Sequence, residues 1–224
     1  NNLHSAPDLY HDRLWEAETE EGALGTVISF SLFSPDGDQG YPGNANITVS
    51  YTLTPDDSLV IAYHMVSDSD TVANFTNHSY FNLDGQDSGN AMSQRVWIDA
   101  DTYTAADAGS IPTGEIVPVA GTPMDFTAMK VIGRDIEEEY EALILGKGYD
   151  HNWILNHAPG ETELSAAAES DKTGIRMEVY TDLPGMQFYT GNFLGAGPAG
   201  KNGMVYAPRY GYCFETQYYP NAVN

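Results

Sequence analysis

Asn46-Ile47-Thr48-Val49-Ser50-Tyr51-Thr52-Leu53-Thr54 alternates apolar and polar side chains without a break. Successive side chains of an extended chain point to opposite faces. The stretch therefore presents Ile47, Val49, Tyr51 and Leu53 to one side and amide or hydroxyl groups to the other, the pattern of a half-buried β-strand. Pro55-Asp56-Asp57-Ser58 supplies turn chemistry and 59–66 resumes an extended, apolar-rich pattern, so 46–66 reads as a hairpin. Upstream, 25–33 predicts a strand joined to this hairpin by a loop rich in Gly, Pro and Asp. Downstream, short strands are expected over 71–83, 94–104, 114–119, 151–156, 173–181, 185–193 and 210–218. Helix has room only within 129–145, where Ile136-Glu-Glu-Glu-Tyr-Glu is too short and too acidic to anchor a bundle. Many short strands without a fixed repeat make an all-β protein, a sandwich or a barrel.

The chain has 224 residues, enough for a sizeable core, and no linker-like composition divides it; one domain, 1–224, is expected. Acidic residues number 32 against 9 basic ones, a formal charge of −23 that repels nucleic acid and anionic membrane surfaces, so neutral or cationic partners are expected. No apolar run approaches the roughly 18 residues of a membrane span. The lone Cys213 excludes an internal disulfide and fits a reducing, cytoplasmic setting. No two histidines have a short ligand spacing and the cysteine is isolated in sequence, so no metal is expected. Gly195-Ala-Gly-Pro-Ala-Gly-Lys201 imitates a phosphate-binding loop, but Asn202-Gly203 and Pro208 deny it the helix that such loops need.

Two stretches carry candidate chemistry. Asn74-Phe-Thr-Asn-His-Ser-Tyr-Phe-Asn-Leu83 places the titratable ring of His78 among amides and hydroxyls that all need partners if buried, which suits a polar cleft better than a plain core strand. Tyr210-Gly-Tyr-Cys-Phe-Glu-Thr-Gln217 as a strand puts Tyr210, Tyr212, Phe214 and Thr216 on one face and Gly211, Cys213, Glu215 and Gln217 on the other. A carboxylate at Glu215 among aromatic neighbours needs a reason to be there.

The His78 stretch resembles the aldose 1-epimerase (galactose mutarotase) family, and three further motifs follow that family's order. They are Asn2-Leu3-His4 with Arg13-Leu14-Trp15-Glu16-Ala17, then Gly148-Tyr149-Asp150-His151-Asn152, and finally Cys213-Phe214-Glu215-Thr216-Gln217 with Pro220 beyond. The resemblance implies a large antiparallel β-sandwich of the galactose mutarotase-like type with a sugar site in an open cleft on one sheet. It also implies an isomerase that interconverts the α and β anomers of a free aldohexose such as galactose or glucose and needs no cofactor. By the same resemblance Glu215 is the general base, His78 the general acid and His4 a second histidine near the sugar ring oxygen, although Ser5-Ala6 stand where the family usually has Gly-Gly. Asp150 and Gln187 are expected to hold sugar hydroxyls, with Asn77 beside His78 among the substrate-binding residues, and His151 is expected to support the site from behind.

A different class remains open beside this one: a carbohydrate-binding β-sandwich protein without catalysis, since aromatic and amide side chains suit sugar faces and edges whether or not a proton moves. A glycosidase with Asp150 and Glu215 as paired carboxylates would leave His78 without a role. The family carries a portion before the Leu-His motif, with a sugar-binding arginine, and strands after the Glu-Thr-Gln motif. Neither occurs in this sequence, so a domain incomplete at both ends is expected, with weak activity and exposed strand edges that favour a homo-oligomer.

Overall fold

The computed structural model describes residues 3–4, 8–195 and 197–224. Its contacts divide the chain into two compact units, Asn1–Phe75 and Thr76–Asn224. Among the described residues no helix is long and apolar enough to cross a membrane.

The first unit is an antiparallel meander of four strands: β1 (Glu16–Gly22), β2 (Gly25–Ser34), β3 (Ala45–Leu53) and β4 (Leu59–Ser67), adjacent in that order. β3 is the alternating stretch, and its register with β2 and β4 pairs Ile47 with Leu32 and Met65, Val49 with Phe30 and Tyr63, and Tyr51 with Ile28 and Ile61. One face of the sheet is thereby apolar. The other carries hydroxyl pairs across β2 and β3, Ser29 with Ser50 at 2.9 Å and Ser31 with Thr48 at 3.1 Å. β1 was absent from the expected elements because Glu-Ala-Glu-Thr-Glu-Glu-Gly has no apolar alternation; every residue of it is exposed, and pairing with β2 alone makes it a strand.

Among its described residues the second unit holds nine further strands in two antiparallel sheets. In chain order they are β5 (Arg95–Ile98), β6 (Thr102–Ala106), β7 (Pro112–Pro118), β8 (Lys130–Val131), β9 (Asp150–Ile154), β10 (Glu163–Glu169), β11 (Arg176–Thr181), β12 (Gly185–Tyr189) and β13 (Cys213–Gln217). One sheet runs β11-β10-β5-β8 and the other β13-β12-β9-β6-β7. They share one core, in which Val96, Ile98, Ala166 and Ala168 of the first sheet meet Tyr103, Trp153, Met186, Phe188 and Phe214 of the second. The all-β sandwich read from the sequence is the architecture observed. Aromatic rings knit its centre: Phe188 lies 5.3 Å from both Phe126 and Phe214 and 5.9 Å from Trp153. The loop 119–129 before β8 takes the indole N–H of Trp153 on the Met124 carbonyl at 3.2 Å.

Three readings change. The run 94–104 is two strands, β5 and β6, which go to different sheets. β10, Glu-Leu-Ser-Ala-Ala-Ala-Glu, lay outside the expected strands because alanine favours helix. It is nevertheless central, with Ala166, Ala167 and Ala168 wholly buried between β11 and β5. The expected strand over 71–83 does not form: 71–80 joins no ladder, and Phe81 alone bridges to Tyr212. Its own amides take the backbone groups a ladder would use, Asn77 accepting from the Ser79 N–H and Asn82 from the Asp84 N–H, each at 3.1 Å. Among the described residues one short α-helix forms, α1 (Glu141–Gly146), starting within the expected 129–145 and ending one residue beyond it.

Candidate active site

The pleat of the β13-β12-β9 sheet sorts its residues. Register sets Gln187 of β12 beside Glu215 of β13 and Asn152 of β9, and Tyr189 beside Cys213 and Asp150. These six and Gln217 share one face, while Phe188, Phe214, Met186 and Trp153 take the other and enter the core. The face assignment expected for Cys213, Glu215 and Gln217 is therefore the observed one.

Loop 76–83 reaches this polar face beside β13. Phe81 and Tyr212 exchange backbone hydrogen bonds of 2.7 and 3.0 Å, and a Cβ on Gly211 would stand 3.2 Å from the Phe81 carbonyl oxygen, so glycine permits the close approach. The buried side chain of Gln94 locks the loop. Its Nε2 donates to Asn82 Oδ1 at 2.7 Å, and its Oε1 accepts from the Leu83 N–H at 3.1 Å and from the Tyr212 hydroxyl at 2.8 Å. Sequence reasoning missed Gln94, since a lone glutamine 12 residues from its partner leaves no local pattern.

Thus anchored, the loop sets the His78 ring over β13, with Nε2 3.7 Å from Glu215 Oε1 and Nδ1 3.3 Å from Cys213 Sγ. His78 keeps 33% of its side chain exposed and Glu215 only 6%, so the imidazole stands on the solvent side of a buried carboxylate. Tyr80 and Tyr189 flank the ring at 5.1 and 5.9 Å. Beyond Glu215 runs a strip of amides. Gln187 Nε2 donates to Asp150 Oδ1 at 2.7 Å, and Gln217 Nε2 donates to Asn152 Oδ1 at 3.1 Å and to Gln187 Oε1 at 3.4 Å.

Burial, and then the neighbouring Asp150 carboxylate, push the Glu215 carboxyl up to about 8. Asp150 is also raised by burial, against the opposing donation from Gln187 and the charge of His78. Cys213 is pushed far up, chiefly by burial and then by both carboxylates, so its sulfur carries a proton. His151 faces the core: burial lowers it to about 4, its Nδ1 accepts from the Asp150 N–H at 3.1 Å, and the ring bonds the Ala142 backbone. Its ring thus lies on the core side of the strand, behind Asp150.

The structure thus brings together His78, Glu215, Asp150 and Gln187, residues far apart in sequence, with Asn77 next to His78. His4 belongs to the first unit, exposed and with a left-handed backbone (φ 54°). Among the described residues one trio can offer a metal a nitrogen, a sulfur and an oxygen within 4.8 Å of one another: His78, Cys213 and Glu215. Concave volumes of about 430 Å³ beside Lys130 and Arg134, and about 270 Å³ beside Lys147 and Arg209, contain none of these residues.

An antiparallel β-sandwich that sets an imidazole beside a buried carboxylate on a polar sheet face is an arrangement able to exchange protons with a bound group. The aldose 1-epimerase family model matches residues 1–224, and the chain belongs to that family. It is 42% identical to galactose mutarotase of Sus scrofa and 41% to that of Homo sapiens, in both cases across 100% of this chain and 62% of the relative. It is 36% identical to aldose 1-epimerase of Escherichia coli (strain K12), across 100% of this chain and 63% of the relative. The chain thus spans about 62% of the length of the mammalian relatives. Among solved structures it is similar to galactose 1-epimerase from Lactobacillus acidophilus NCFM, with TM-score 0.80 and 29% identity over 93% of this chain and 59% of that one. It is also similar to an aldose epimerase homologue from C. elegans, with TM-score 0.85 and 28% identity over 100% of this chain and 65% of that one.

Proposed function

We propose that the protein is an aldose 1-epimerase that interconverts the α and β anomers of a free hexose such as galactose or glucose. The observation that carries this is the 3.7 Å approach of His78 Nε2 to Glu215 Oε1, which sets a base and an acid close enough to serve two oxygens bonded to one carbon. Glu215 takes the proton of the C1 hydroxyl, the C1–ring-oxygen bond breaks as the C1 carbonyl forms, and the imidazolium of His78 gives its proton to the ring oxygen. Rotation about C1–C2 presents the other carbonyl face, and reclosure returns both protons. Proton balance is complete within the pair.

Asp150 and Gln187 hold sugar hydroxyls, the carboxylate accepting and the amide fixed by its bond to Asp150. Asn77 stands in the same loop as the acid, and His4 serves as a second histidine near the ring oxygen on the strength of the family resemblance. The names of the similar proteins, galactose mutarotase and aldose 1-epimerase, support the substrate class. The test is polarimetry of freshly dissolved α-glucose or α-galactose with the wild-type chain and Glu215→Gln, beside calorimetric sugar binding. Catalysed mutarotation lost in the variant supports the reading. Binding by the wild-type chain without any catalysed change in rotation identifies a carbohydrate-binding protein instead.

A further inference from the structure

Cys213 takes no part in these proton transfers, yet its sulfur shares the polar face with Glu215 two residues along β13, and the His78 ring touches both. We propose that His78, Cys213 and Glu215 bind a thiophilic divalent cation, zinc above all, and that its occupancy holds the proton-transferring pair in an inactive state. The binding half stands on geometry; the inhibitory half rests on the epimerase reading.

Tetrahedral zinc with bonds of about 2.0–2.3 Å to nitrogen, sulfur and oxygen brings its ligand atoms to roughly 3.3–3.6 Å from one another. Here Nδ1 and Sγ are 3.3 Å apart, Nε2 and Oε1 are 3.7 Å apart, and one donor atom from each of the three groups falls within a 4.8 Å set. A ring binds through one nitrogen, so the site closes by a rotation of the His78 ring between Tyr80 and Tyr189, which flank it at 5.1 and 5.9 Å. One sulfur and one imidazole select against magnesium and calcium, which prefer six or more oxygens, and suit zinc. Binding replaces with the metal the proton of the Cys213 sulfur and any proton held by the Glu215 carboxyl, both passing to solvent. His78 then has no free nitrogen lone pair or proton to exchange at the bound atom, and the Glu215 oxygen bound to zinc no longer serves as a base. The site was invisible to spacing rules because His78 and Cys213 are 135 residues apart.

The experiment uses the whole 224-residue chain stripped with a chelator. Cobalt(II) is titrated while near-ultraviolet thiolate-to-cobalt absorption is followed, and zinc by calorimetry, for the wild-type chain, Cys213→Ala and His78→Ala, with circular dichroism to confirm folding. One equivalent of cobalt should produce the thiolate absorption, and Cys213→Ala should lose it. Loss of a supporting group around a metal costs about 10- to 100-fold in affinity, so loss of this ligand should weaken zinc binding about 100-fold or more. Absence of the thiolate absorption in the wild-type chain, or zinc affinity in Cys213→Ala within a few-fold of wild type, overturns the site. Mutarotation of the wild-type chain should fall as zinc fills the site and return with chelator; full activity at saturating zinc overturns the inhibitory half. A chain that binds zinc but never catalyses mutarotation, even stripped, would remove the epimerase reading and leave the metal site standing.

Discussion

The two faces of the β13-β12-β9 sheet are made by alternate residues of the same strands, yet they differ in almost every physical respect. The inner face packs Phe188, Phe214, Met186 and Trp153 into an aromatic core whose only demand is shape. The outer face buries Glu215, Gln217 and Asn152 with almost as little exposure, 5%, 8% and 2%. Burial stabilises the first face and burdens the second: each polar group there must find a partner or change its protonation. The amide strip satisfies some of the demand. The rest falls on Glu215, whose carboxyl rises to about 8 because burial deprives it of water and, less strongly, because the Asp150 carboxylate is its neighbour. The comparison teaches that a two-residue period can separate stability from chemistry within one sheet.

The sharpest break of this division is Glu215→Gln. It should keep sugar binding within a few-fold and lower catalysed mutarotation by about 10²- to 10⁴-fold, because the amide bonds hydroxyls but accepts no proton. His78→Asn should behave alike, and the double variant should cost far less than the product of the two, since both serve one exchange. Polarimetry decides; strict multiplicativity would dissolve the pair.

On the inner face, Phe188→Ala should cost about 3–5 kcal/mol in urea unfolding, because its ring contacts Phe126, Trp153 and Phe214 and leaves a cavity among them. The rate per folded molecule should fall far less than in Glu215→Gln. An unchanged stability with abolished catalysis would reverse the roles assigned to the two faces.

The pH dependence sharpens the comparison on the outer face alone. Glu215 moves from an ordinary 4.5 to about 8 on folding, so across that window the folded chain keeps a proton the unfolded chain releases. Rising pH therefore destabilises the fold, by up to about 1.4 kcal/mol per pH unit from this group, with no contribution below the lower value. Asp150, also raised, acts in the same sense. Unfolding at a series of pH values should show wild type and Glu215→Gln diverging as pH rises, with the variant the more stable; parallel curves would contradict the buried acid. A proton held by Glu215 blocks its role as base, so the pH–rate profile should lose activity on its acid side.

The smallest effect belongs to the amide strip. Gln217→Leu removes donations to Gln187 and Asn152 and should raise KM by roughly 2- to 10-fold with kcat little changed, the value of one neutral hydrogen bond of about 0.5–1.5 kcal/mol. A fall in kcat without any change in KM would make Gln217 part of the chemistry instead.

Much of this fold was legible where a strand's own pattern matched its surroundings. β3 alternates because one face of its sheet is apolar, and Cys213, Glu215 and Gln217 were placed on one face from their spacing alone. β1 and β10 escaped notice for opposite reasons: one is exposed along its whole length, the other is walled by two neighbours and filled with alanines, so neither alternates. The 71–83 loop misled because its amides, which signalled the site, also took the backbone bonds that a strand would have made.

By itself the sequence determined the all-β class, the family, the pleat-face partners of Glu215 and the candidate pair His78 and Glu215. These follow from local periodicity and from motifs, both carried by neighbours in the chain. Only the tertiary structure decided that His78 also meets Cys213, that Gln94 locks the loop above β13, and that Glu215 is deprived of water beside Asp150. Those are contacts between residues up to 135 positions apart. Titration and ligand geometry depend on what surrounds a group in space, and a chain's order does not contain that until it has folded.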